Sequence, residues 1–128
     1  MSKNIFVKAL LPIWLAEFVI TGLLHAFGPE EVTTVSTALM VVSIVLLPFI
    51  AGLRVVRSGG GIGMAILGAV SISVVSILTV GVSYLISSTG LTAFGGYIIA
   101  TLMFSVVPQV IFGFVGGLVA RKTYAKAT

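Results

Sequence analysis

The chain has no cysteine and one histidine among its 128 residues, and only 8% of its residues are charged. The absence of cysteine excludes a disulfide framework, a thiolate metal site and a thiol nucleophile. Because the only histidine comes with few carboxylates, we expect neither a metal site nor a cofactor. No set of serine, histidine and acid suited to nucleophilic catalysis is apparent, so we do not expect an enzyme.

The scarcity of charge accompanies an excess of apolar residues, which make up 59% of the chain. An ordinary soluble domain has about 25% charged residues. A water-soluble domain of this size would also leave about 30% of its unfolded-chain surface exposed. Lipid must therefore cover much of this chain, and we expect a multi-pass protein of the cell membrane in contact with the bilayer.

Four apolar stretches are each long enough for the roughly 20 residues that cross about 30 Å of hydrocarbon. They comprise residues 5–27, 34–53, 62–86 and 94–119. The connections between them are short, and short connections make consecutive helices antiparallel neighbours. The sequence predicts an all-α integral membrane protein, in which residues 1–128 form a single up-down bundle of four transmembrane helices.

The basic residues all fall on one side of this predicted bundle. The opposite connection contains Glu30 and Glu31 and no basic residue, whereas the basic side has Lys3, Lys8, Arg54, Arg57, Arg121, Lys122 and Lys126. Because cytoplasmic loops of membrane proteins carry an excess of Lys and Arg, this bias predicts that both termini are cytoplasmic. The basic groups are interpreted as topological anchors, and we expect no nucleic-acid partner.

Glu17 is the only acidic residue inside a predicted span, and it lies near the middle of the first one. An ionisable group there costs roughly 2.5–3.5 kcal/mol by insertion scales and marks a functional site by default. Thr21 and His25 follow at spacings of four, which places all three on one helix face. This polar stripe predicts a proton relay or a cation site. The structural alternative is a hydrogen bond between helices, with Gln109 as the expected partner.

Pro108 interrupts the fourth predicted span near its centre. Proline has no backbone N–H, so the carbonyl of Phe104 loses its donor and the helix is expected to kink. Ser105 and Gln109 lie beside the proline. We expect the kink to face Glu17 and to form a small polar pocket with it.

Small residues recur in the third predicted span at alternating spacings of four and three. Such residues let membrane helices approach closely and let hydroxyl groups bond across the contact. The predicted helix-packing residues are Gly61, Ala65, Gly68, Ser76, Thr79 and Ser83 in the third span, and Gly113 and Gly117 in the fourth. One such face can close the monomer, which leaves the other free to meet a second copy or another membrane subunit.

The segment Leu15-Ala16-Glu17, followed by Thr21 and Leu24, resembles the first helix of the small multidrug resistance transporters. The resemblance is confined to this segment, and the third predicted span has no tryptophan, so we do not infer membership of that family.

These features support two functional hypotheses. Abundant packing motifs with little chemistry favour a non-catalytic subunit of a homo-oligomer or of a larger membrane complex. The alternative is a small proton-coupled transporter or ion pathway that uses Glu17. A pore-former of the holin type is a third hypothesis, which the buried polar stripe does not favour.

Overall fold

Every regular element of the protein is helical in the computed structural model, which describes the backbone of residues 3–27, 34–87 and 91–127. Side chains are described for residues 3–24, 37–82 and 95–123. The elements are α1 (Lys3–Phe27), α2 (Thr34–Val41), a π-helical turn (Val42–Leu46), α3 (Leu47–Arg57), α4 (Ile62–Ser87), α5 (Leu91–Phe104) and α6 (Val106–Ala127). Helix suits so apolar a chain because it satisfies the backbone hydrogen-bonding groups internally, where lipid offers no partners.

Three continuous helical stretches are long and apolar enough to cross a membrane, namely Lys3–Leu24, Thr37–Arg57 and Ile62–Val82. A further pair, Gly95–Phe104 and Val106–Thr123, meets the same requirement together but bends by 41°. The described residues therefore contain three such helices, or four if the bent pair is one span. The prediction of an all-helical protein is confirmed for the described residues, and several of its helices are long and apolar enough to cross a membrane.

The contacts between side chains give the directions of the helices. Trp14 of α1 bonds to Ser71 of α4, and the later Thr21 bonds to the later Ser76. The residue numbers of the partners increase together, so α1 and α4 run parallel. Between α1 and the α2–α3 segment the order reverses, because Glu17 meets Ser43 whereas the earlier Ala9 meets Arg54. Consecutive helical segments are thus antiparallel, as expected for an up-down arrangement.

One end of the bundle contains the start of α1, the end of α3, the start of α4 and the end of α6. We call it the basic end, because it carries Lys3, Lys8, Arg54, Arg57, Arg121 and Lys122. Here Arg54 of α3 contacts α1, because its Nε donates a hydrogen bond to the Ala9 carbonyl at 2.6 Å. The acidic residues Glu30 and Glu31 of the opposite connection lie outside the described residues.

The bend between α5 and α6 lies where the proline predicts it. α5 ends at Phe104, the residue whose carbonyl loses a donor because Pro108 has no N–H. On either side the backbone bonds continue, from Ser105 N–H to the Thr101 carbonyl and from Gln109 N–H to the Ser105 carbonyl. The predicted kink is confirmed, with an angle of 41°.

Glycine lets the backbones of α3 and α6 touch. A Cβ atom on Gly52 would overlap the carbonyl oxygen of Gly113, and one on Gly116 would overlap the carbonyl oxygen of Phe49. Gly113 is also pressed against α4, where a Cβ atom would overlap that of Ala69. This half of the bundle is packed backbone to backbone, and its buried apolar residues include Leu10, Ala51, Val55 and Ala65.

The predicted helix-packing residues mostly pack within the chain itself. Ala65, Gly68 and Ser76 of α4 are buried, as are Gly113 and Gly117 of α6. Gly68 faces Leu10 of α1 and Val55 of α3, while Gly117 faces Ala65 of α4. Thr79 is half-buried and Gly61 is exposed, whereas the side chain of Ser83 lies outside the described residues. The small-residue faces of α4 and α6 therefore join the helices of one chain.

Candidate functional site: a buried carboxyl group

Glu17 is 2% exposed although it carries an ionisable group in the middle of an apolar helix. It lies fourteen residues after Lys3 and ten before Phe27, the two ends of α1. At about 1.5 Å per residue, it is roughly 15–20 Å from either end of that helix. A carboxyl group that is buried to this extent depends on protein groups for its hydrogen bonds.

Two hydroxyl groups bond directly to this carboxyl group. Thr21 lies one turn further along α1, and its Oγ1 donates to Glu17 Oε1 at 3.0 Å. Ser43 approaches from the π-helical turn, with its Oγ 2.9 Å from Oε1 and 2.7 Å from Oε2. The wider turn is a real departure from α-helix, because Leu47 N–H donates to the carbonyl of Val42, five residues earlier. Such π-helical turns are rare and often occur at functional sites.

The hydrogen bonds continue from Thr21 to two further helices. Thr21 Oγ1 is 3.3 Å from Ser76 Oγ of α4, and Ser76 Oγ is 2.6 Å from the hydroxyl of Tyr97 in α5. We call these five residues, Glu17, Thr21, Ser43, Ser76 and Tyr97, the hydroxyl network. It connects α1, the α2–α3 segment, α4 and α5. Ser76 is buried and Tyr97 is half-buried, so the network leads from a fully buried carboxyl group to a partly exposed phenol.

The expected pair of Glu17 and Gln109 is wrong. Gln109 is 2% exposed, and its Oε1 accepts a hydrogen bond from Ser73 of α4. The kink beside Pro108 therefore directs its buried amide towards α4, and Ser43 takes the place beside the carboxyl group. Ser105 is half-buried at the break between α5 and α6. Gln109 and Glu17 thus bond to different hydroxyl groups, although Ser73 lies only one turn of α4 from Ser76 of the hydroxyl network.

The remaining member of the predicted polar stripe is His25. Its backbone belongs to α1, but its side chain lies outside the described residues. Among the described side chains, no three His, Cys, Asp or Glu residues come close enough to hold a metal ion. The chemistry present is that of one carboxyl group and several hydroxyl groups, which can accept, donate and pass on protons.

Ser43 and Tyr97 were missed at the level of sequence. The distance from the connection between α1 and α2 could have indicated Ser43 as a partner of Glu17. Ser43 lies nine residues after the start of α2 at Thr34, and Glu17 lies ten residues before the end of α1 at Phe27. Two antiparallel helices joined by a short connection place such residues at the same level. Tyr97 offers no comparable signal, because it lies six residues after the start of α5 whereas its partner Ser76 lies eleven before the end of α4.

Comparison with known proteins identifies no family for this chain, because no family model, no curated protein and no solved structure matches it.

Proposed function

We propose that the protein is a small proton-coupled transporter or ion pathway in which Glu17 binds and releases the proton. The proposed arrangement has four membrane spans, with α5 and α6 forming the last, and the basic end faces the cytoplasm of the cell. The observation that supports this function is the burial of Glu17 in a hydroxyl network that connects four helical segments. Intramembrane carboxyl groups are costly to place and are typical of proton and ion pathways.

The bend and the π-helical turn add support to this proposal. The turn carries Ser43 of the hydroxyl network, and the bend ends α5 seven residues after Tyr97. A transport protein has to change shape around its binding site, and interrupted membrane helices commonly form such sites. The glycine-packed contact of α3 and α6 supplies a rigid base against which α5 can move.

Proton flux in proteoliposomes tests the proposal. Vesicles that contain the purified protein and an entrapped pH indicator are given a potassium gradient, and valinomycin then sets the membrane potential that drives protons. We expect the parent protein to carry protons, and Glu17→Gln to reduce the flux to that of protein-free vesicles. Glutamine keeps hydrogen-bonding capacity at this position but cannot bind and release a proton in this range.

Gln109→Met is the matched control, because Gln109 is as deeply buried as Glu17 and lies outside the hydroxyl network. This variant should keep the proton flux of the parent, and circular dichroism should show that both variants are folded. Equal flux in the parent and Glu17→Gln would remove Glu17 from the mechanism. A parent protein that carries no protons would contradict the proposed transport function.

The second candidate is a non-catalytic subunit of a homo-oligomer or of a larger membrane complex. It is supported by the completeness of the polar contacts, because no buried polar side-chain atom in the described part of the chain lacks a hydrogen-bond partner. A network in which every polar group has a partner is compatible with a purely structural role, which is to hold helices together. Partners would have to bind the apolar outer faces of the helices, since the small-residue faces are occupied within the chain. Copurification at fixed stoichiometry, together with absence of flux, would favour this role.

A further inference from the structure

We propose that Tyr97, Ser76 and Thr21 form a hydroxyl relay that carries protons to Glu17 from the end of the bundle opposite the basic end, with the proton itself as the bound ligand. This inference rests on the proposed function and assigns the access route and the ligand of the same site. It draws on the order of the hydroxyl groups, on the surroundings of Ser43 and on the unequal packing of the two halves of the bundle.

The order of the hydroxyl groups defines a direction. Beyond Glu17, Thr21 lies one turn nearer the far end of α1, and the relay passes from it to Ser76 and then to Tyr97. Tyr97 is six residues from the start of α5, so about 9 Å of helix separates it from that end of the bundle. Tyr97 is half-buried whereas Ser76, Thr21 and Glu17 are buried, so Tyr97 is the least buried residue of the relay.

No comparable route leads from Glu17 towards the basic end. The residues on that side of α1 include the buried Leu10 and Ile13, and they pack against Val55 and Ile72 in one apolar cluster. At the level of this cluster α3 and α6 are in backbone contact at Gly52 and Gly113. The described side chains on this side include the hydroxyl group of Ser71, but it bonds to the Trp14 indole N–H and to the Gly68 carbonyl and not to Glu17. The hydrogen bonds of Glu17 therefore continue towards the far end of the bundle and not towards the basic end.

The relay leaves each of its hydroxyl groups with the same number of hydrogens as before the transfer. Tyr97 takes a proton from water at the far end and passes its own hydrogen to Ser76 Oγ. The Ser76 hydroxyl, which accepts from Thr21 in the structure, rotates and passes its hydrogen to Thr21 Oγ1, and Thr21 passes its own hydrogen to the Glu17 carboxylate. Each hydroxyl group gains one hydrogen and loses one, since a hydroxyl is both donor and acceptor. The net change is one proton moved from water to Glu17, and no electrons are transferred.

The position of Ser43 favours a proton over a metal cation. Its Oγ lies within hydrogen-bond distance of both carboxyl oxygens of Glu17, but it has a single hydrogen to donate. That hydrogen can be shared between both oxygens of an ionised Glu17, and a neutral Glu17 can itself donate one of the two bonds. A hard cation such as calcium needs several oxygens at about 2.3–2.6 Å around itself. Beside the carboxyl group of Glu17 lies the neutral hydroxyl of Ser43 instead of a second carboxylate, and the described side chains contain no group of three His, Cys, Asp or Glu residues that could hold a metal ion.

Other ionisable groups stand well away from this route along the chain. On α1 the neighbours of Glu17 in sequence are Lys8 and His25, and the α2–α3 segment has no ionisable residue before Arg54. On α4 the first is Tyr84 and on α6 it is Arg121, while α5 contains Tyr97 alone. The side chains of His25 and Tyr84 lie outside the described residues, and among the described side chains proton transfer to Glu17 is assigned to hydroxyl groups and not to a second acid or base.

Time-resolved infrared spectroscopy after a pH jump tests the relay in the purified, detergent-solubilised protein. The carboxylic-acid band of Glu17 is identified as the band that Glu17→Gln deletes. We expect Tyr97→Phe and Ser76→Ala each to slow the appearance of this band about ten-fold, which corresponds to about 1.4 kcal/mol in the barrier. The pH midpoint of the band should stay close to that of the parent, because the relay affects access more than the bound state.

Ser73→Ala is the matched control, since it removes another buried hydroxyl group of α4 that bonds to Gln109 instead of Thr21. It should leave the rate of protonation unchanged. The relay is refuted if Tyr97→Phe and Ser76→Ala protonate Glu17 as fast as Ser73→Ala does. Displacement of the band by sodium or calcium ions at constant pH would refute the proton as sole ligand.

The two experiments can refute the relay and the transport function separately. If Glu17 protonates through the relay but the parent carries no protons in vesicles, the relay stands and the transport function fails. If the parent carries protons and Tyr97→Phe slows neither flux nor protonation, transport stands and the relay fails.

Discussion

The contact between α3 and α6 should be intolerant of a single added methyl group. In Gly52→Ala the new Cβ atom would overlap the carbonyl oxygen of Gly113 and would lie 3.0 Å from its carbonyl carbon and 3.1 Å from the amide nitrogen of Gly117. All three are backbone atoms of the opposite helix. Unlike the end of a flexible side chain, they cannot rotate away, so the two helices have to separate.

The expected cost follows from this geometry. Overpacking a filled interior costs about 1–3 kcal/mol, and a backbone obstacle places Gly52→Ala in the upper part of that range. Replacing glycine by alanine within a helix by itself stabilises the helix by roughly 0.5–1 kcal/mol, which offsets part of this cost. We therefore expect the free energy of unfolding to fall by about 2 kcal/mol. Gly68→Ala should cost less, because its Cβ would meet methyl groups of Val55 and Leu10 at 3.1–3.3 Å.

The chain supplies its own control and its own probe. A Cβ atom on Gly63 would have nothing within 4 Å, so Gly63→Ala should leave the stability unchanged or raise it slightly. Unfolding can be followed by titrating dodecyl sulfate into mild-detergent micelles and recording the fluorescence of Trp14, the only tryptophan. If Gly52→Ala proves as stable as Gly63→Ala, the backbone contact between α3 and α6 is not as described.

Two further predictions concern the other contacts of α1. Arg54→Gln removes the guanidinium that bonds to the Ala9 carbonyl and should lower the free energy of unfolding by about 1 kcal/mol, since the side chain is partly exposed. Arg57→Gln serves as its control in the same titration, and equal effects would show that the Arg54 bond contributes nothing. Ser71→Ala removes the acceptor of the Trp14 indole N–H, now 2.7 Å away, and should move the emission of the folded protein to shorter wavelength. An emission spectrum identical to that of the parent would contradict this hydrogen bond.

The helices were largely predictable because lipid imposes a length and a polarity on each of them. The predicted stretch at residues 5–27 corresponds to α1, and the one at 62–86 corresponds to α4, within two residues at every end. The bend was predictable as well, since proline removes a specific hydrogen bond whatever surrounds it. The stretch at 34–53 was too short, because Arg54 and Arg57 suggested an earlier end, whereas α3 continues to Arg57.

The partner of Glu17 was not predictable from residue type. Gln109 and Ser43 both lie deep in apolar helices, and the sequence gives no rotation of one helix about its axis relative to another. Gln109 was expected as the partner because it lies near the middle of its predicted span, as Glu17 does. The decisive factor is the π-helical turn, which residues Val42–Leu46 form without glycine or proline. No local signal distinguishes these residues from an ordinary apolar helix.

The π-helical turn also sets the phase between the two ends of the second helical segment. Ser43 and Gly52 are nine residues apart, which is two and a half turns of continuous α-helix and would put them on opposite faces. One extra residue in a turn changes that phase by about 100°. The same helical rod can then present a hydroxyl group to α1 at one level and a bare backbone to α6 at another. The number of residues in Val42–Leu46 consequently matters to the packing of the helices as much as the identity of those residues does.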